Sequence, residues 1–338
     1  MKFRICWPRH SDENLKDFAD ALNEKTLKKS SGSAWIQDRE KHGLYFFYEN
    51  LKSILEEKNI EYEIVNRHRY KILHAKKDEI TISYHCKKNV KSANSREWIA
   101  HTSGSPGYFT LDQCGYAGFS KFTHDKNLWE KYLDEDSARS TLWFKNFSKN
   151  YIQNNISRSG QANIKHISLE EPFIFIPAQL SFDSVLQLTK VKGNDFYTKI
   201  TEHAEKNGYK VVYKPHPGEK TTGRKQRLKA PLNAIVSHES IHSLISKASA
   251  VFTINSGVGL EALLHEKPVY TLGRCDYEFE TQKIKNLSDI ENIDFSWKPD
   301  IENIHKLVYH LHNTVYVDCY NLDSMRKKID YILECNQL

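Results

Sequence analysis

The chain has 338 residues, too many for one small hydrophobic core, and its length suits two domains of α/β type. Lysine and arginine number 49 against 43 acidic residues; the net charge of +6 favours an anionic partner, and the lack of a basic recognition module argues against nucleic acid. Six cysteines stand singly, which excludes a small-domain disulfide framework, and no apolar run suits a signal peptide or a membrane span, so a cytoplasmic protein is expected.

Residues 3–7 read as a first strand, polar helical stretches follow, and an aromatic helix is predicted over 45–58. Short strands at 62–65 and 80–84 continue the βα alternation. Glycines then concentrate between Gly104 and Gly118 beside aromatic residues, the composition of a shaped loop rather than a disordered linker. Helices are expected at 128–133 and 137–151. Past a polar stretch at 153–165 the periods become cleaner: strands at 173–177, 210–213, 250–254 and 268–272 alternate with helices at 195–206, 240–247 and 258–265. Such repeats build a doubly wound parallel sheet, so a boundary is placed within 153–167 and the domains are taken as 1–160 and 161–338. Helices at 301–312 and 322–333 close the chain, the last suited to pack back across the boundary. Of two basic clusters, Lys87, Lys88, Lys91 and Arg96 read as a solvated loop. Lys220, Arg224, Lys225, Arg227 and Lys229 follow a His-Pro segment and gain weight as a binding loop.

That segment, Lys214-Pro215-His216-Pro217, ends a strand. Flanking prolines restrict the backbone and hold the His216 imidazole toward the carboxyl edge of the sheet, where doubly wound folds bind ligands. Lys214, two residues earlier, lies on the same face and suits a phosphate or carboxylate. In Asn255-Ser256-Gly257-Val258-Gly259-Leu260-Glu261 a strand runs into a helix whose first turn offers N–H donors without bulky side chains. Glu261, one turn inside, suits ribose hydroxyls. The segment lacks the Rossmann and P-loop glycine spacings, so an ordinary strand-to-helix turn competes. Asp183 follows the 173–177 strand at the same edge. Its carboxylate suits attack on an anomeric carbon, and the competing reading is an N-cap for a helix near Ser184. Asp112, in the glycine-aromatic loop, suits proton transfer, with Glu170 and Glu171 as competitors. Sixteen histidines form no convincing ligand set. His238 and His242 are spaced for one helix face but lack a third ligand, and no Asp-x-Asp pair is present; no metal and no cofactor are expected.

Phe173-Ile174-Phe175-Ile176-Pro177-Ala178-Gln179 with Asp183, Lys214-Pro215-His216-Pro217, Asn255-Ser256-Gly257-Val258-Gly259-Leu260-Glu261-Ala262-Leu263-Leu264, and Lys267-Pro268-Val269 resemble the retaining β-Kdo glycosyltransferases of capsule and lipopolysaccharide O-antigen synthesis. Asp112-Gln113-Cys114-Gly115-Tyr116-Ala117-Gly118-Phe119-Ser120 resembles their first-half signature, with Ala117 and Phe119 where the family usually carries Ser and Trp. The resemblance spans roughly 109–270. It implies a GT-B fold, two Rossmann-like domains facing a central cleft, with an acceptor-side first domain and a donor-binding second. It also implies CMP-β-Kdo as metal-independent donor, Asp183 as nucleophile forming a covalent Kdo adduct, and Asp112 as acid/base. His216 and the Ser256-Gly257 turn would bind the CMP phosphate and Glu261 the ribose, with Gln179 and Asn255 among the donor-binding residues. Pairing of Lys214 with the Kdo carboxylate follows from its charge and placement. The implied partners are CMP-Kdo, a glycan or lipid-linked glycan acceptor and neighbouring transferase domains, with peripheral association at the inner face of the inner membrane. Competing functions are an inverting CMP-sialic-acid-type or CDP-dependent transferase and a non-catalytic nucleotide-sugar binding domain.

Overall fold

Two six-stranded sheets organise the computed structural model, which describes residues 1–8, 43–67, 71–162, 172–219 and 228–337. The polar helical stretches expected between 9 and 42, the carboxylates Glu170 and Glu171, and the basic residues Lys220, Arg224, Lys225 and Arg227 lie outside these residues.

The first sheet contains β1 (Lys2–Pro8), β2 (Glu61–Arg67), β3 (Glu79–Tyr84), β4 (Glu97–Thr102), β5 (Tyr108–Asp112) and β12 (Tyr316–Asp318), in the order β12-β5-β4-β3-β1-β2. The first four strands in sequence run parallel; β5 pairs antiparallel with both β4 and β12. Helix α1 (Leu44–Glu57) places Phe47, Leu51, Ile54 and Leu55 on one stripe, and helix α7 (Leu322–Glu334) does the same with Met325, Ile329 and Ile332. Both stripes are fully buried with Phe3, Ile5, Ile80 and Ile82 of the sheet.

The second sheet is parallel throughout, in the order β11-β10-β9-β6-β7-β8. Its strands are β6 (Phe173–Pro177), β7 (Lys210–Lys214), β8 (Ile235–Val236), β9 (Ala248–Thr253), β10 (Val269–Thr271) and β11 (Gln282–Lys283). All five residues of β6 are buried, the burial of a strand covered on both faces. The helices of this half are α2 (Ser137–Gln153), α3 (Gly193–Lys206), α4 (Ile241–Lys247), α5 (Val258–Leu264) and α6 (Ile301–His310).

The compact units are Met1–Tyr116 with Asn313–Leu338, and Ala117–His312. A division at 160 therefore differs from the observed one by more than forty residues. The physical reason is the company α2 keeps: its Phe144 ring stacks on His305 of α6, 4.1 Å between centroids, so α2 belongs to the second unit. The return of the chain end to the first unit is fixed by β12 as well as by α7. The glycine-rich stretch contains β5 rather than loop alone. The 301–312 helix stops at His310 in a wide turn, Leu311–Val315, that leads into β12. Among the described residues no helix is long and apolar enough to cross a membrane.

Candidate nucleotide-sugar site in the second unit

Strand β6 lies between β9 and β7, so the segments leaving these three parallel strands emerge side by side at one carboxyl edge. Buried amides tie two of them together. Gln179 donates from Nε2 to Asn255 Oδ1 at 2.9 Å and accepts the Asn255 backbone N–H at 3.0 Å. Asn255 Nδ2 then donates to Val185 O at 2.8 Å and to Arg274 O at 3.3 Å. The segment that carries Asp183 is thereby held by Asn255 on both sides. Asp183 itself is half-buried and caps the short 3-10 helix Ser184–Leu188, its Oδ1 accepting from Val185 N at 3.2 Å. The cap and the strand-end placement coexist; one does not displace the other.

At the end of β7, the Lys214 ammonium donates to Glu239 O. Burial pushes its pKa down, opposed by the negative charges of Glu239 and Glu261. His216 accepts the Gly218 backbone N–H on Nδ1 at 3.0 Å, so in the neutral ring the proton resides on Nε2, the donor nitrogen. After β9, Ser256 takes part in the turn itself: its N–H donates to Thr253 Oγ1 at 3.1 Å and its Oγ accepts from Val258 N at 3.3 Å. Gly257 is in the right-handed region, φ −54° and ψ −20°, and starts α5. Gly259 has a different purpose from leaving room for a phosphate. A Cβ there would lie 2.3 Å from Tyr277 Oη, whose hydroxyl donates to Ser256 O.

Glu261 is the most unusual group of the set. It is 4% exposed; Oε1 accepts from Ser157 Oγ at 2.8 Å, and Oε2 has no hydrogen-bond partner among the described residues. Burial pushes its pKa up to about 7, although the Ser157 hydroxyl, the Arg158 backbone and the Lys214 ammonium all favour the ionised form. Glu239 has a buried orphan oxygen too, also Oε2. Neither Ser157 nor Arg158 carries any signal in the sequence, because both sit in a polar stretch that reads as a linker. His242 pairs with His265 rather than His238: His242 Nδ1 lies 2.9 Å from His265 Nε2, and α4 begins only at Ile241, after His238.

Asp112 belongs to the first unit. Its Oδ1 accepts the backbone N–H groups of Cys114 and Gly115 at 2.7 and 3.1 Å, closing the turn after β5. Burial pushes the Lys328 ammonium of α7 down in pKa, and the Asp112 charge partly offsets this. The glycine-aromatic motif is divided between the units, with residues 112–116 in the first and 117 onward in the second. Gly118 sits where a Cβ would lie 2.3 Å from Arg274 O, so its smallness serves packing in the second unit.

A family model described as capsule polysaccharide biosynthesis protein matches residues 111–316, more than half of the chain. Protein FixF of Sinorhizobium fredii (strain NBRC 101917 / NGR234) is 29% identical over 193 residues, covering 50% of this chain and 48% of FixF, so the chain spans about half the length of that relative. Among solved structures, the β-Kdo 2,4 transferase of Thermosulfurimonas dismutans KpsC is similar with a TM-score of 0.53 at 14% identity, covering 83% of this chain and 93% of that one. The β-Kdo 2,7 transferase of the same KpsC has a TM-score of 0.49 at 15% identity over 100% of both chains. The fold class is α/β of the GT-B type, one parallel-rich sheet in each unit. Taken with the family match over 111–316, this chain belongs to the capsule polysaccharide biosynthesis proteins.

Proposed function

We propose that the chain is a retaining β-Kdo glycosyltransferase that uses CMP-β-Kdo to extend a glycan of capsule or O-antigen. The observation that carries this is Glu261, a buried carboxylate with one oxygen unpartnered among the described residues, at the sheet edge where His216 and Asp183 also emerge. A ribose hydroxyl satisfies such an oxygen, and the Nε2–H of His216 with the backbone N–H of Gly257 suits the phosphate. Family membership and the fold shared with a β-Kdo 2,4 transferase support the same reading. Gln179 and Asn255 act by fixing the Asp183 segment, and Lys214 supplies positive charge for the Kdo carboxylate.

In the first step the Asp183 carboxylate attacks the anomeric carbon, a C–O ester bond forms, and the bond to the CMP phosphate breaks with CMP leaving. An acceptor hydroxyl then attacks the same carbon, the ester breaks and returns the carboxylate, and two inversions give net retention. The hydroxyl proton passes to a base, the role assigned to Asp112. The reaction is assigned to the protein alone, without a metal, in the cytoplasm at the inner face of the inner membrane, with a lipid-linked glycan as acceptor. The same proposal has the chain work beside further transferase domains.

Asp183→Asn tests the assignment. Asparagine caps a helix about as well as aspartate, so folding is retained, whereas alanine is expected to destabilise by about 1 kcal/mol. The variant is expected to bind CMP with unchanged affinity and to lose transfer from CMP-Kdo to a glycan acceptor by several orders of magnitude. Transfer at the wild-type rate would remove Asp183 as nucleophile.

A further inference from the structure

Residues 155–161 form a strap fastened across α4 and α5 of the second unit. Asn155, in the left-handed region at φ 52°, joins the two ends of the strap by donating from Nδ2 to Ala162 O at 2.8 Å, while its Oδ1 accepts from Ser240 Oγ. Gln161 Oε1 accepts the Ile241 N–H at 2.9 Å, and Ile156 O lies 2.8 Å from His242 Nε2. A carbonyl only accepts, so His242 carries its proton on Nε2; its Nδ1 is the acceptor, and His265 Nε2 is the donor in the 2.9 Å contact between the rings. That assignment holds for neutral rings, the form that burial favours for both by pushing their pKa values down. Glu261 and His265 are four residues apart, on one face of α5 and its C-cap. The strap thus meets that face at two points: Ile156 O through the histidine pair, and Ser157 Oγ directly on Glu261 Oε1.

We infer that Ser157 is a positioning residue for nucleotide recognition: by engaging Oε1 of Glu261 it turns the unpartnered Oε2 toward a ribose hydroxyl, and the strap with its histidine pair holds Ser157 in place. The inference rests on the reading of Glu261 as the ribose ligand. The Ser157 hydroxyl supplies a directional bond that fixes the plane of the carboxylate. Without that hydroxyl the carboxylate loses its side-chain donor on Oε1, and the Arg158 backbone and the Lys214 ammonium, which also favour the ionised form, hold it less tightly in that orientation. Ribose recognition, and not nucleotide binding as a whole, then depends on Ser157.

Binding of CMP, 2′-deoxy-CMP and 3′-deoxy-CMP to the full chain, its Ser157→Ala variant and its Ser157→Thr variant tests this. A hydrogen bond to a charged group is worth roughly tenfold to a hundredfold in affinity, so the wild type is expected to prefer CMP by at least tenfold over one of the deoxy analogues. Ser157→Ala is expected to compress that ratio to within about threefold, chiefly by weakening CMP, and Ser157→Thr, which keeps the hydroxyl, to restore it. A wild-type ratio retained in Ser157→Ala, or equal weakening of all three nucleotides, overturns the positioning role while leaving Glu261 as the ribose ligand. A wild type that binds CMP without discriminating either analogue overturns the ribose role itself. No binding of CMP by the wild type overturns the nucleotide reading and this inference with it.

Discussion

A buried, unpartnered carboxylate oxygen costs about 1–3 kcal/mol, and more when ionised, against a net domain stability of only about 5–15 kcal/mol. Glu261 carries that cost, and this is what makes it the basis of the proposed ribose contact. Its pKa, raised by burial from 4.5 to about 7, sets a direction. If Glu261 is the ribose ligand as proposed, ribose hydroxyls donate to its ionised form, so CMP binding near neutral pH is expected to expel a proton, with affinity rising with pH until it levels off above about 7. Glu261→Gln is expected to remove this dependence while leaving the weaker one from the phosphate, whose second ionisation lies near pH 6. Calorimetry in buffers of different ionisation enthalpy reads the proton release; equal release by wild type and variant would refute it. At this scale the sequence exposes His216, two residues past β7, and Asp183 and Glu261, which lie on the segments that leave β6 and β9. Ser157 is invisible there, since its bond to Glu261 spans 104 residues. The pairing of Gln179 with Asn255 is hidden for the same reason: two amides 76 residues apart meet only because β6 and β9 are neighbours.

Among elements, the strands that are legible are those with both faces covered. Phe173–Pro177 has no polar residue to confuse its period, Lys210–Lys214 keeps three buried residues between its terminal lysines, and Ala248–Thr253 is buried at all but one position. Strands β8, β11 and β12, of two or three residues, are too short to show any period, and β12 finds its partner β5 some 200 residues earlier in the chain. The strap at 155–161 is likewise an element made by tertiary contacts alone. Its attachment to the histidine pair has a pH consequence. Burial pushes His265 down to about 3 and His242 down as well. Between about pH 6.5 and 3 the unfolded chain takes up protons that the native pair refuses, so this pair makes stability fall as pH falls. Glu261 acts in the opposite sense, raising stability as pH falls from about 7 to 4.5, so the two effects must be separated by difference. His265→Gln keeps a donor for His242 without the titration. Its midpoint of thermal unfolding is expected to drop less between pH 6.5 and 5 than that of the wild type, and parallel curves would count against the pair.

On the scale of the whole molecule, the chain end is part of the first unit's core. Met325, Ile329 and Ile332 are each fully buried there, and burial of each such side chain stabilises by roughly 1.5–3 kcal/mol. Their sum is comparable with the stability of an ordinary domain. Removal of residues 313–338 is therefore expected to abolish slow hydrogen exchange in β1 and β3 while much of β6 and β9 stays protected; protection retained in β1 would contradict the division into units. Nothing local in the sequence announces the crossover at 313, because it depends on β12 completing a sheet begun at residue 2. The family match, 111–316, falls largely on the second unit, where Asp183 and the proposed donor-binding residues reside, while Asp112 lies in the first. The central claim is that this unit transfers Kdo through a covalent bond to Asp183. Intact-mass and peptide mass spectrometry of the protein incubated with CMP-Kdo without acceptor tests it most directly. The account predicts one added Kdo residue on the peptide containing Asp183, absent from Asp183→Asn; transfer-competent protein that never carries Kdo at Asp183, even in slowed variants, would contradict it.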